Sequence, residues 1–255
     1  MFDCNKKLIE RIVKLEKAME EELAAFDFVT QTARNEVAEL GRRVLELAKV
    51  CEQARPQDVD TPSPFPKVFL EAGHGWSIKR GDVIYDPGAS GQGFAEHVLT
   101  TEIVNQTAEI LKKEYNITAV CETYIKRTSA KTLTERGTID SKFGCAVSVH
   151  LNAYDNKAEY TTALVSEHDH NIRDVALGDA ISYNVATRIC NKDQGTQTEW
   201  GTYSVPRAFH NSGVPGCIIE CFFIDSPGEL GSRKLETIRK CAQGIAQGIS
   251  VFLNS

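Results

Sequence analysis

The sequence predicts an α/β domain with a central, mostly parallel sheet and helices on both faces, preceded by a long N-terminal helical segment of coiled-coil character. Three observations predict it. From Lys67 onward, apolar runs of strand length alternate with longer stretches of helical period. Residues 5–52 hold no proline and one glycine, Gly41, and repeat apolar residues at steps of three and four. Between these regions lies "RPQDVDTPSPFP", whose Pro56, Pro62, Pro64 and Pro66 exclude helix and favour an extended, semi-stiff chain. The expected organisation is a helical segment over 1–54, a proline-rich linker over 55–66, and the α/β domain over 67–255.

The N-terminal apolar positions run from Leu8, Ile12, Leu15 and Met19 to Val44, Leu47 and Cys51. They follow a near-heptad seam with one offset between Phe26 and Val37. A single helix of this length has no core of its own. It pairs with a copy of itself, folds back as a hairpin, or lies on a partner. Self-association is the expectation, which makes the chain a homo-oligomer through this helix.

In the α/β part, "KVFLEA" (67–72) reads as a strand. Residues 95–114 read as a helix, with Val104, Ala108, Leu111 and Tyr115 on one face. "ITAVCETYI" (117–125) is a strand, and 131–142 a weaker helix. "CAVSVH" (145–150) and "TTALVSE" (161–167) are strands. Residues 171–189 form a helix on Leu177, Ile181, Val185 and Ile189. "CIIECFFI" (217–224) is a buried strand by composition, and 232–253 a last helix with Ile238, Cys241, Ile245, Ile249 and Phe252 inward.

Composition narrows the function classes. The chain has 255 residues and a net charge of −6, with no Lys/Arg run, so nothing supports a nucleic-acid footprint. No stretch approaches the roughly 18 apolar residues of a membrane span. The start, "MFDCNKKLIERIVKLEK", lacks the apolar core of a signal peptide, so synthesis in the cytoplasm is expected. Eight cysteines occur without a CxxC pair. Cys121, Cys145, Cys217 and Cys221 lie in strand-like runs and are expected as buried, reduced thiols.

The chemistry collects at strand ends, where open α/β sheets hold their ligands. His74 follows the first strand between two glycines. His150 ends "CAVSVH". Glu96 opens the first long helix after a glycine-rich loop. Glu220 sits inside an apolar strand, where a carboxylate is costly unless a positive or proton-donating group meets it. Two histidines and a carboxylate form a common ligand set for one catalytic zinc, which acidifies water and polarises a carbonyl. A second carboxylate, Glu220, then serves as general base and acid. A plainer reading stands beside this one. Each histidine can be a hydrogen-bonded structural residue, Glu96 can serve the helix dipole, and Glu220 can pair with Arg136 or Arg207. The rival cluster His168–Asp169–His170 reads as a solvated loop, His97 is expected to point away from Glu96, and His210 has no evident partner.

The blocks "VFLEAGHGW…DPGASG…FAEH", "ERGTID…VSVHLNA" and "VPGCIIECFFIDSPGEL" resemble the zinc-dependent N-acetylmuramoyl-L-alanine amidases of the type 3 family. The resemblance spans roughly residues 67–254, with the blocks in order. It implies that His74, Glu96 and His150 hold one Zn2+ per chain and that Glu220 is catalytic. Asn152, in the second block, is a candidate substrate-binding residue. It further implies a peptidoglycan substrate, cut at the amide between the lactyl group of N-acetylmuramic acid and L-alanine. Glu71 stands where the family usually has Asp, Trp76 replaces the second glycine of GHGG, and "SIKRGDVIY" lengthens the next loop; all are expected at the cleft mouth.

A wall-cutting enzyme without a signal peptide suits a phage endolysin, acting on the bacterial wall after release from the host cytoplasm. Two rivals are a zinc peptidase on peptidoglycan stem peptides and a non-catalytic wall-binding or virion structural protein. The common carboxypeptidase pattern H-x-x-E is absent, since Gly75-Trp76-Ser77 follows His74.

Overall fold

A computed structural model describes residues 67–166, 172–198, 204–227 and 234–255, all within the unit Ser63–Ser255. The expected N-terminal helix, the linker and the His168–His170 cluster lie outside the described residues.

The strands are β1 (Lys67–Ala72), β2 (Gly75–Lys79), β3 (Asp82–Asp86), β4 (Ser90–Gly91), β5 (Phe94–Ala95), β6 (Ala119–Glu122), β7 (Phe143–Asn152), β8 (Tyr160–Leu164), β9 (Lys192–Gln197) and β10 (Gly216–Phe223). The helices are α1 (Glu96–Tyr115), α2 (Leu133–Gly137), α3 (Ile172–Ile189), α4 (Ser204–Asn211) and α5 (Lys234–Leu253). Six strands form the central sheet in the order β6-β1-β7-β10-β8-β9. The β1–β6, β1–β7, β7–β10 and β8–β9 pairs are parallel, and β8 runs antiparallel to β10. The expected mostly parallel α/β fold is the observed one.

Strand alternation divides the sheet into two faces. One face carries Val68, Leu70, Cys145, Val147, Val149, Cys217 and Ile219, all fully buried against α1, α3 and α5. The inward residues of those helices, among them Ile103, Leu111, Leu177, Ile181, Ile245 and Ile249, are also fully buried. Close approach of α3 and α5 depends on small residues: a Cβ on Gly244 would stand 2.6 Å from Val185 Cα, and one on Gly248 2.6 Å from Ile181 Cα. The second face carries Phe69 and Ala146, packed with Phe209 and Val205 of the short helix α4. Beyond that cluster, toward the carboxyl ends of the strands, the same face carries Glu71, Ser148 and Glu220. Apolar burial of the first face is therefore the main source of stability, and the second face is where polar groups gather.

Several expectations are corrected. The expected helix over 131–142 is only α2, a single turn closed by a capping box between Thr132 and Glu135. The β2–β3 hairpin, β9 and α4 were not anticipated. Cys121 is exposed, because β6 is an edge strand; Cys145, Cys217, Cys221 and Cys241 are buried free thiols.

Candidate metal centre

Each candidate ligand is positioned by a different element. β1 ends at Ala72, and the chain turns sharply through Gly73-His74-Gly75. His74 adopts a positive φ of 67°, a conformation a β-carbon disfavours and one often found at functional sites. Gly73 is required by proximity: a Cβ there would fall 2.4 Å from the ring of His150. His150 lies near the end of β7, beside β1 in the sheet, so the two imidazoles meet edge to face at 5.0 Å between centroids. Glu96 is the first residue of α1.

Glu96 bridges the two histidines. Its Oε2 is 3.1 Å from His74 Nε2 and its Oε1 is 3.1 Å from His150 Nδ1. Backbone N–H groups fix the carboxylate: Ala89 donates to Oε2 at 2.8 Å, and Leu151 to Oε1 at 3.0 Å. Asp86 holds the other face of His74, with Oδ2 at 3.1 Å from Nδ1, and Asp86 Oδ1 accepts from Gly88 N at 3.0 Å. An imidazole held at one nitrogen by a carboxylate presents the other in a fixed tautomer, the usual outer support of a metal ligand. Asp86 was not singled out from sequence. It lies in the quoted "DPGASG" loop, where a carboxylate in a turn is ordinarily read as a turn residue.

Electrostatics bind the three together. Burial alone raises the Glu96 pKa, but hydrogen bonds and charge from His150 and His74 outweigh it and hold the carboxyl well below the usual range. Burial lowers the His150 pKa, and Glu96 outweighs that, so the imidazole is pushed up to about 9. His74 moves upward for the same reason, with burial and His150 opposing.

Glu220 lies one strand over. In the sheet it is in register with His150 on one side and Thr162 on the other. Its Oε2 is buried and has no hydrogen-bond partner among the described residues. Burial pushes its carboxyl up to about 7, against the positive charge of His150. Arg136 is not its partner. That guanidinium, 1% exposed, meets Glu71 Oε1 at 3.1 Å, donates to the His74 carbonyl at 2.6 Å and to the Trp76 carbonyl at 3.0 Å, and stacks 3.9 Å over the Tyr124 ring. Ser148 donates to the other oxygen of Glu71. Glu71 is thus buried at 1% exposure rather than at the cleft mouth. The signal that singled out Glu220, a carboxylate inside an apolar strand, applied equally to Glu71.

Asn152 ends β7 and lines a cavity that also reaches Glu220. His97 points away from the cluster, as expected: it is buried, with Nδ1 3.0 Å from the Gly73 carbonyl oxygen. His210 has a partner after all, Asp174 Oδ2 at 3.4 Å.

The residues fit a metal ion. Among the described residues, His74, Glu96 and His150 are brought together as one group of potential ligands, with their donor atoms all within 4.8 Å of one another. Two neutral nitrogens and one carboxylate oxygen are the donor types of a three-ligand catalytic zinc site. The unpaired, buried Glu220 oxygen beside them fits a pocket that expects a further positive or proton-donating group.

A family profile described as N-acetylmuramoyl-L-alanine amidase matches residues 68–251, most of the chain. The chain belongs to the N-acetylmuramoyl-L-alanine amidase family. Its activity class is peptidoglycan amide hydrolysis. Solved amidases share the fold. An N-acetylmuramoyl-L-alanine amidase from Clostridium difficile 630 aligns with a TM-score of 0.61 at 23% identity, covering 76% of this chain and 99% of its own. The catalytic domain of the amidase CwlV from Bacillus (Paenibacillus) polymyxa var. colistinus aligns at 0.60 and 20% identity, covering 74% and 98%. The amidase Ami1 from Mycobacterium smegmatis aligns at 0.62 and 16% identity, covering 74% and 97%. No curated protein sequence matches this amidase.

Proposed function

We propose that this amidase is a metalloenzyme, with one zinc ion held by His74, Glu96 and His150 and with Glu220 as general base and acid. It hydrolyses the amide between N-acetylmuramic acid and L-alanine of peptidoglycan. The observation that carries the reading is the two-histidine, one-carboxylate cluster with an unpaired buried carboxylate in register beside it.

When bound, zinc supplies the Lewis acidity that acidifies water and polarises the scissile carbonyl. The chain's own residues do the rest. Asp86 keeps His74 oriented through Nδ1, leaving Nε2 as ligand. The Ala89 and Leu151 N–H groups hold the Glu96 carboxylate in place. Glu220 Oε2 is free to take the proton of the attacking water and to deliver it to the departing L-alanine amine. Burial holds Glu220 in the range where a carboxyl both accepts and returns a proton near neutrality.

The described cluster favours a metal hydrolase over a non-catalytic wall-binding protein. A stem-peptide peptidase would use the same site and differs in the bond cut. The test of the metal assignment is elemental analysis of the purified protein. One zinc per chain is expected, lost in a His74→Ala, His150→Ala double variant. Full zinc occupancy in that variant would remove the proposal. We also propose that residues 1–54 self-associate and that 55–66 tether them to the amidase domain, on the strength of the apolar seam and the prolines.

A further inference from the structure

His97 follows the candidate ligand Glu96 in the first turn of α1, and its ring turns away from the metal cluster toward the chain that leaves β1. It is 2% exposed. Its Nδ1 lies 3.0 Å from the Gly73 carbonyl oxygen. A carbonyl only accepts, so Nδ1 carries the hydrogen and donates it. Thr100 Oγ1 stands 3.3 Å from the same oxygen but 3.2 Å from the His97 carbonyl as well, and its one hydrogen cannot serve both. His97 is therefore the main holder of the Gly73 carbonyl.

That carbonyl belongs to the peptide plane before His74. The plane after His74 is held by Arg136, which donates to the His74 carbonyl at 2.6 Å. With both planes fixed, φ and ψ of His74 are fixed, and these angles aim its Cβ and ring. The turn needs such a hold. His74 has a φ of 67°, and a residue with a β-carbon stays in that region only where its surroundings impose it. Gly75 lets the ring of His97 come close: a Cβ there would stand 2.5 Å from His97 Cε1. His97 thus fastens the turn that carries His74 to the helical turn that carries Glu96, whose Oε2 is 3.1 Å from His74 Nε2. The far side of the ring speaks against simple space-filling. Nε2 is buried with no hydrogen-bond partner among the described residues, a cost that an apolar side chain of similar size avoids.

Resting on the metal reading of the site, we propose that His97 is a positioning residue: its Nδ1–H, through the Gly73 carbonyl, sets the backbone angles of His74 and the spacing between His74 and Glu96.

The test compares the full chain with its His97→Asn and His97→Leu variants. The side-chain N–H of asparagine takes the place of Nδ1–H, while leucine fills apolar volume and donates nothing. Zinc affinity is measured by competition with a chromophoric chelator. His97→Leu should bind zinc at least about tenfold more weakly than the parent, and His97→Asn should recover most of that loss. A space-filling role gives the opposite order, so affinity in His97→Leu equal to or above that in His97→Asn would overturn the proposal. Nitrogen-edited NMR of the His97 ring in the metal-free parent is a second measurement that needs neither variant to fold. A hydrogen on Nδ1 is expected, and a bare Nδ1 would overturn the proposal. Absence of zinc binding in the parent, with that hydrogen in place, would instead overturn the metal reading and this inference with it.

Discussion

Glu220 of β10 and His150 of β7 are in register on adjacent parallel strands, so backbone pairing alone sets a buried carboxylate beside an imidazole. No loop has to fold to create that neighbourhood. The position of Glu220 is thereby tied to the buried sheet, where a small shift would disrupt apolar packing on the other face.

This placement makes Glu220→Gln the cleanest separation of structure from chemistry. The amide is nearly isosteric and removes only the titrating group. Activity on cell walls should fall by about 10²–10⁴-fold, with zinc content and circular dichroism unchanged. Near-normal turnover in a turbidity assay would assign Glu220 a structural part.

On the proposed zinc assignment, metal and protons compete for His150. Its pKa is raised from 6.5 to about 9 by Glu96, despite opposing burial, so the metal-free protein carries a proton there at neutrality. Zinc needs the neutral ring, and binding must release that proton. Affinity should rise with pH between 6.5 and about 9. Calorimetry at pH 7 in buffers of different ionisation enthalpy should show release of about one proton or more. The same shift has a consequence for metal-free stability. A histidine whose folded pKa exceeds its unfolded value stabilises fully below 6.5, and that contribution is lost as pH rises through about 9. Proton release of zero would contradict the assignment of His150 as a ligand.

Arg136 tests the frame around His74. Truncation to Ala would leave Glu71 buried without its cation and release the His74 and Trp76 carbonyls. A loss of about 3–5 kcal/mol is expected in urea unfolding. Arg136→Lys should recover little, because an ammonium cannot reproduce the planar fork that reaches three partners and stacks on Tyr124. A loss below about 1 kcal/mol for Arg136→Ala would show that the network is incidental.

The N-terminal segment predicts an assembly difference. The full chain should be a dimer or larger by light scattering, and a chain starting at Lys67 a folded monomer. Several tethered domains would gain avidity on a polymeric wall without new contacts. The shorter chain should therefore keep turnover on soluble fragments and lose it mainly on intact walls. A monomeric full-length chain at micromolar concentration would end the avidity argument.

Elements that bury an apolar face were legible in the sequence. α1, α3 and α5 are found within two residues of the expected bounds, and β1, β7 and β10 lie where the apolar runs stand. Elements held by other means were not. β9 is "KDQGTQ", an edge strand held by backbone pairing with β8 and by hydrogen bonds of Thr196 to Asp179 and Val175 of α3, so it needs no apolar pattern. The β2–β3 hairpin joins "GWSIK" to a largely exposed "DVIYD", and neither carries a continuous buried apolar run. α4 has only eight residues with Pro206 in its first turn, where proline is tolerated, yet proline in a short segment argues against helix. The expected 131–142 helix was too long, since only Leu133–Gly137 is helical. For the site, strand ends and one carboxylate in an apolar run pointed to His74, His150, Glu96 and Glu220. Asp86 and the Glu71–Arg136–Ser148 network were not legible, since they join residues 12 and more positions apart whose only common property is where the fold puts them.

The most direct test of the central claim is mass spectrometry of the soluble products released from purified peptidoglycan by the zinc-loaded protein. The account predicts stem peptides with a free L-alanine amino terminus and glycan chains with a free lactyl carboxyl group. Chelator should stop their release and added zinc restore it. New reducing sugar ends, or new D-amino acid termini with the lactyl–alanine amide intact, would contradict it.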